Sequence, residues 1–256
     1  MKKNAILLIF LMPLLQASAQ EPDAGQIMSR SRELSLIGSL SATINLLIVE
    51  KSGAERNRTI NMTTKSYPDG LEKRFIRFVE PADVRGTAML IVDNKNIMDE
   101  MWIYLPALKK TRRIVSSEKG RSFMSSEFSN ADMTSPNLAD FTNRHTGASG
   151  VNNQWIIESI PVNEDKADEY GYSRKITFIS MDKYQIQKME FYNADNELFK
   201  TITIKSIFPF GDGKYMIRNM IASNLKTSRK SEILFTNISD RIKVDDSFFS
   251  LQNLER

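Results

Sequence analysis

The sequence predicts a mainly β fold, an antiparallel barrel or curved sheet, on three observations. Strand-like runs recur at regular spacing, short polar turns separate them, and helical periodicity is scarce. The exception comes first. Asp23 with Gln26 three residues on has a capping-box arrangement, and Ile27, Met28 and Leu34 give an apolar stripe for a helix through about Glu33. From Leu40 a period of two takes over. Strands are predicted over 41–49, 58–67, 71–79 and 87–93, with Ser52-Gly53 near one turn and Pro68-Asp69-Gly70 forming another. After a central stretch the strands resume over 154–160, 174–181, 185–192, 197–207, 214–222 and 230–238. Turns at 193–196 and 210–213 join their neighbours, and 163–169 reads as a charged loop. Residues 131–141 are the least strand-like, and Pro136 would permit a short helix through Leu138 and Phe141. This region and the N-terminal helix are the natural covers for an open end. Phe248 and Phe249 are expected to tuck back onto the body.

The organising stretch runs from Met101 to Ser129. Met101, Ile103 and Leu105 face one way, while Trp102 and Tyr104 face the other, so both faces of this strand are expected to be covered. Pro106 ends it. A basic return segment with Lys109, Lys110, Arg112 and Arg113 follows, and Phe123, Met124 and Phe128 supply a second apolar cluster.

The 256 residues carry 35 Lys and Arg against 31 Asp and Glu, a net charge of +4. Residues 1–19 read as a cleaved signal peptide: a positive Met1-Lys2-Lys3, an apolar run from Ala5 to Leu15, and Ala17-Ser18-Ala19 before the cut. Removing Lys2 and Lys3 lowers the balance to +2, which argues against a general nucleic-acid binder. No cysteine is present, so disulfides, thiolate metal sites, Cys nucleophiles and an acylated N-terminal cysteine are excluded. The expectation is one domain over 20–256, exported to the periplasm, with no cofactor.

Enzyme signatures are mostly missing. His145 is the single histidine, so no histidine cluster can hold a metal. Ser116-Ser-Glu-Lys119 matches Ser-x-x-Lys without its companion motifs, and Gly147-Ala-Ser-Gly150 lacks the spacing of a nucleophile elbow. Asp245-Asp246 and the acids of 164–169 lack calcium-loop spacing. The glycosylation triplets at Asn57, Asn61 and Asn237 carry no weight if the chain is bacterial, as the look of its signal segment leads one to expect.

The run Trp102-Ile103-Tyr104-Leu105-Pro106, then Arg112-Arg113-Ile114, then Ser122-Phe123-Met124, Phe128 and Asp132 resembles the outer-membrane lipoprotein-sorting family of LolA-like periplasmic carriers, in its transporter-associated branch. Glu80-Pro81-Ala82-Asp83-Val84-Arg85-Gly86-Thr87, Ser231 to Phe235 and Phe248-Phe249 fit the same pattern. Members commonly place Gly where Ser125 stands, and positive φ there would strain a serine. The resemblance implies a LolA/LolB-like incomplete antiparallel β-barrel with a few covering helices. Its apolar interior would take lipid or lipoprotein acyl chains without covalent chemistry.

Each buried methylene stabilises such a complex by about 0.8 kcal/mol, and methionine adapts to flexible guests. Candidates for the cavity wall are Phe75, Phe78, Met89, Ile91, Trp102, Tyr104, Phe123 and Met124, although ordinary core packing would explain each of them. An acyl-chain tunnel should reach or pass the top of the roughly 300–1,000 Å³ typical of ligand pockets. Lys109, Lys110, Arg112 and Arg113 are candidates for docking lipid headgroups or an acidic partner, against the alternative of a solvated edge strand guarded by its charges. The expected role is a monomeric periplasmic carrier moving acyl chains toward an outer-membrane acceptor. The alternative is a non-catalytic accessory module docking an RND/MMPL-type inner-membrane exporter.

Overall fold

The computed structural model describes residues 21–94, 98–146 and 151–256. The expected signal peptide and Gly147-Ala-Ser-Gly150 lie outside the described residues. Helix α1 (Ala24–Ser35) starts where the capping box predicts: the Asp23 carboxylate accepts the Gln26 N–H at 2.8 Å, and the Asp23 N–H donates to the Gln26 side chain at 3.0 Å. Its buried residues, Ala24, Ile27, Met28, Ser31 and Leu34, fall on one face by the spacing of a 3.6-residue turn.

A single antiparallel sheet follows. Its first half is β1 (Ser39–Val49), β2 (Glu55–Ser66), β3 (Glu72–Glu80), β4 (Ala88–Asp93), β5 (Glu100–Leu105) and β6 (Lys110–Arg113). Its second half is β7 (Phe141–His145), β8 (Gln154–Pro161), β9 (Arg174–Ser180), β10 (Ile186–Tyr192), β11 (Leu198–Pro209), β12 (Tyr215–Asn224) and β13 (Lys230–Asp240). The spatial order is β6-β5-β4-β3-β2-β1-β13-β12-β11-β10-β9-β8-β7. Every strand therefore pairs with its neighbour in sequence, except where β1 zips to β13 at the centre. The two edges, β6 and β7, are consecutive in the chain. The barrel is incomplete between them, and residues 114–140 cross that seam.

Alternation sets which side chains turn inward. On β1, Leu40, Ala42, Ile44, Leu46 and Ile48 are buried and join the main core with Ile60, Ile76, Phe78, Met89, Ile91 and Met101. The seam segment adds Phe123, Phe128, Ala131 and Met133 to this core. Strands β3 to β5 are also covered outside, as their two apolar faces require. There Phe75, Ala88 and Leu90 are buried by Phe249 and Leu254 from the tail, which ends in the short helix α4 (Leu251–Leu254). Lys65 and Tyr67 hold Asp246 at 2.5 and 2.7 Å, and Arg77 donates to the Asn253 carbonyl at 2.6 Å, so the tail is pinned as well as packed.

Three predicted details differ. Residues 163–169 form a helix, α3 (Glu164–Tyr170), because the Asn163 side chain caps the Lys166 N–H at 2.9 Å and Gly171, at φ +78°, ends it. The expected helix after Pro136 is only a 3₁₀ turn, Leu138–Asp140. Phe141 starts β7 instead, because its ring is buried against Tyr170 at 4.7 Å and its backbone pairs with Pro161. Third, Met124 (φ +49°) and Ser125 (φ +63°) both take the left-handed conformation. The backbone oxygens of this turn are held from outside: Arg58 donates to the Met124 carbonyl and Arg229 to that of Ser125, the latter at 2.8 Å.

Candidate ligand cavity

A hollow of about 270 Å³ lies on the concave face of the second half-sheet. Its floor is β7 to β12. Its roof is α1, through Met28, Ser31, Arg32 and Ser35, and its side is the seam segment from Phe128 to Leu138. Arg32 donates to the Pro136 carbonyl, joining roof to side. Phe141, Tyr170, Tyr172 and Phe191 form an aromatic end, with Phe141–Tyr172 stacked at 6.3 Å and Tyr172–Phe191 edge-on at 5.2 Å. Ile186, Met189, Ile202, Ile217 and Met220 complete an apolar wall. A second hollow of about 220 Å³ adjoins it across Asp132 and Thr134, lined by Met62, Met133, Met216 and Phe235 among others.

The polar groups of the floor come from one register row. Asn143 pairs with Ser159, Ser159 with Lys175, Lys175 with Phe191, and Phe191 with Lys200, so all five side chains project from the same face. The Ser159 hydroxyl and Asn143 side-chain oxygen are 2.7 Å apart. Lys200 pairs with Asp132 at 2.7 Å and stands over the Phe191 ring at 4.2 Å. Lys175 Nζ lies 5.1 Å from the Phe141 ring centre and 5.7 Å from that of Tyr172. Burial pushes its pKa down to about 8, with Asp132 pulling up and Lys200 pushing further down. Burial also pushes the Tyr170 and Tyr172 hydroxyls well up, so both rings stay neutral. The Tyr170 hydroxyl donates to Asp140 at 2.7 Å.

None of the eight residues chosen from sequence lines this hollow, and the reason is the two-sided sheet. Phe75, Trp102 and Tyr104 project from the convex face, against the C-terminal tail. Phe78, Met89, Ile91 and Phe123 project inward but are buried in close-packed core, where Phe78 and Phe123 stand 5.9 Å apart. Met124 packs on the edge of that core. The hollow is also smaller than an acyl-chain tunnel was expected to be, because the seam segment fills the interior of the first half-sheet.

Lys109, Lys110, Arg112 and Arg113 are exposed on and beside β6, an edge strand, and Arg112 is bonded to Glu118 at 2.7 Å. Ser116 and Lys119 do not meet as a catalytic pair: the Ser116 hydroxyl faces the Met98 sulfur at 3.9 Å, and Lys119 is bound by Glu169 and Asp99. His145 Nε2 lies 3.0 Å from the Pro22 carbonyl. Among the described residues no three His, Asp or Glu side chains gather in a way that could hold a metal. The sequence reading missed Lys175 and Lys200. Its available signal was the phase of Lys175, which matches that of Thr177 and buried Ile179 on the inward face of β9.

A family model described as "Uncharacterized protein", that of the DUF1329-like family, matches residues 70–256. No curated protein matches the chain. Three solved structures are similar. A protein of Vibrio parahaemolyticus described as an outer membrane lipoprotein-sorting protein domain superposes with a TM-score of 0.82 at 23% identity, covering 91% of this chain and 98% of its own. A DUF1329 family protein from Desulfovibrio piger gives 0.82 at 24% identity, covering 90% and 97%. A LolA superfamily protein from Nitrosomonas europaea gives 0.70 at 17%, covering 91% and 99%. With the family model spanning more than half its length, the chain belongs to the DUF1329-like family, and its incomplete barrel is the fold of the LolA-like lipoprotein-sorting proteins.

Proposed function

We propose that this protein is a periplasmic carrier that shelters a lipid or the acyl chains of a lipid-modified protein and works without covalent catalysis. The observation that carries the reading is the apolar hollow itself: a concave sheet face left unfilled under a two-piece cover of α1 and residues 128–138. A close-packed interior tolerates few voids larger than a water molecule, so a retained apolar space of this size calls for a guest. Its wall suits a flexible guest. Met28, Met189 and Met220 line it, Met133 and Met216 line the hollow beside it, and methionine repacks at low cost. A guest larger than the resting space would enter by displacing these side chains toward the adjoining hollow. Among the described residues no helix is long and apolar enough to cross a membrane. The likeness to a lipoprotein-sorting protein domain and the expected signal peptide support the reading.

Native mass spectrometry of protein purified without detergent tests it. The expected result is a bound lipid mass that organic extraction removes and added lipid restores. Repeated recovery of an empty chain that takes up no lipid would count decisively against the carrier.

A further inference from the structure

We propose that the cavity beneath α1 binds an anionic single-chain amphiphile, with its charged head on Lys175 Nζ and its tail along the methionine and aromatic wall. The proposal rests on the carrier reading and narrows it to a class of ligand.

It begins with a charge count at the cavity floor. Asp132 lines the cavity, but its Oδ2 already accepts the Ser129 N–H and Lys200 Nζ, each at 2.7 Å. Asp140, at the aromatic end, is held by Lys166 at 2.9 Å and by the Tyr170 hydroxyl. Glu169 is held by Lys119 at 2.6 Å and Lys166 at 3.0 Å. Every acid near the floor is therefore matched. Lys175 is the surplus: it is 7% exposed, it lines the cavity, and it has no hydrogen bond or ion pair among the described residues.

A buried ammonium without an anion is costly, and two ring faces replace only part of the hydration it loses. Burial lowers its pKa to about 8, which still leaves most of it protonated near neutral pH. One step along the inward face of β9, the Thr177 hydroxyl is likewise buried without a hydrogen-bond partner. A structural lysine would be expected to pair as Lys119 and Lys200 do. Lys175 thus presents a positive charge that no acid pairs with, aimed into a space whose wall is largely apolar, while the other basic side chain of the lining, Arg32, is turned to the Pro136 carbonyl. A small hydrophilic anion would meet the charge but leave that wall unfilled. A neutral chain would fill the wall and leave the charge unmet. A carboxylate or phosphate carried on an alkyl chain satisfies both. At about 270 Å³ the space suits one chain of moderate length.

The test is a calorimetric titration of the delipidated full mature chain with decanoate, decyl phosphate and decanol. At least one anion is expected to bind roughly tenfold or more tightly than decanol. Lys175→Met, which keeps the bulk and removes the charge, should erase that preference while leaving decanol binding unchanged, and Lys175→Arg should keep it. The better of the two anions identifies the head as carboxylate or phosphate. Equal affinity for all three ligands in the unsubstituted protein would overturn the proposal and leave the carrier reading standing, because the chain alone would then suffice. Acetate or inorganic phosphate binding as tightly as its alkyl counterpart would also overturn it. Binding of none would remove both readings. The wild-type ranking decides the matter even if the methionine variant fails to fold.

Discussion

Asp93 ends β4 with its carboxyl buried among Glu72, Arg74, Asp99 and Ser135. Its Oδ2 accepts the Ser135 N–H at 3.0 Å, while Oδ1 has no hydrogen-bond partner. Burial pushes its pKa up to about 7, with Glu72 and Asp99 pushing the same way against Arg74 and the Ser135 N–H. The sign of the consequence follows from proton counting. Between the ordinary carboxylate range near 4 and about 7, the folded chain holds a proton that the unfolded chain has released. Stability from this residue therefore falls as pH rises through that window and levels off above it. Asp93→Asn keeps an acceptor for Ser135, leaves Arg74 its partner Glu72, and removes the charge. Urea unfolding should find the variant more stable by about 2–4 kcal/mol at pH 8 and near wild type at pH 4. Stability curves that stay parallel across this range would show that the carboxyl is not held protonated. Because Ser135 belongs to the cavity side, the same carboxyl tethers the seam segment to the first half-sheet.

Among the elements, α2 (Ser116–Lys119) and α3 meet at a close backbone contact. A Cβ on Gly120 would stand 2.8 Å from the Gly171 Cα, and the buried pair of Lys119 and Glu169 crosses the same contact at 2.6 Å. Neither backbone can withdraw, since Gly171 closes α3 at φ +78° and Gly120 follows the last residue of α2. Gly120→Ala should cost about 1–3 kcal/mol of stability in chemical unfolding. A loss below about 0.5 kcal/mol, within the usual surface range, would mean the two helices slide apart freely. The elements also show what the sequence could and could not disclose. Strands with one dense apolar phase, such as β1 and β13, and the capped α1 were legible because period and cap chemistry are local. Helix α3 was legible too and was overlooked: Asn163, Glu164-Asp165 and Gly171 are its cap, first turn and stop. Strand β7 was hidden, because Phe141 is its only fully buried residue and the others are polar. The hollow lies away from the residues chosen for a cavity wall, and the reason is long-range. Of the four aromatic side chains on β3 to β5, three serve the tail, and only the folded path of residues 114–140 decides which half-sheet stays hollow. Lys175 sat in the inward phase of β9, yet both phases of that strand carry isoleucine, so alternation alone could not single it out.

At the scale of the molecule, the topology decides which part of the cover can move. Because β6 and β7 are the two edges, the segment between them is anchored on both halves of the sheet. Arg58 and Arg74 bond the carbonyls of Met124 and Met133 from one half, and Lys200, Ser231 and Asn224 bond Asp132 and Glu127 from the other. Displacing it would break all of these together. Helix α1 is held more lightly along its length: Arg32 reaches the Pro136 carbonyl and the hydroxyls of Ser31 and Tyr215 stand 3.5 Å apart, while at its flanks His145 meets the Pro22 carbonyl and Lys214 donates to that of Leu36, each at 3.0 Å. The polar cost of lifting α1 is therefore smaller, and its apolar face is what a guest chain would replace. Ser35 on α1 and Ser135 on the seam segment both line the hollow, one on its roof and the other on its side. The chain has no cysteine, so Ser35→Cys with Ser135→Cys can be bridged selectively by a short bis-maleimide. Bridging before exposure to a fluorescent fatty acid should abolish uptake, and bridging after loading should slow release to an acceptor vesicle by roughly tenfold or more. Each single-cysteine protein treated alike should load normally. Unimpaired loading of the bridged protein would move the entrance away from α1, toward the β6–β7 seam, and the bonds at Asp132 and Glu127 would then be the ones that open.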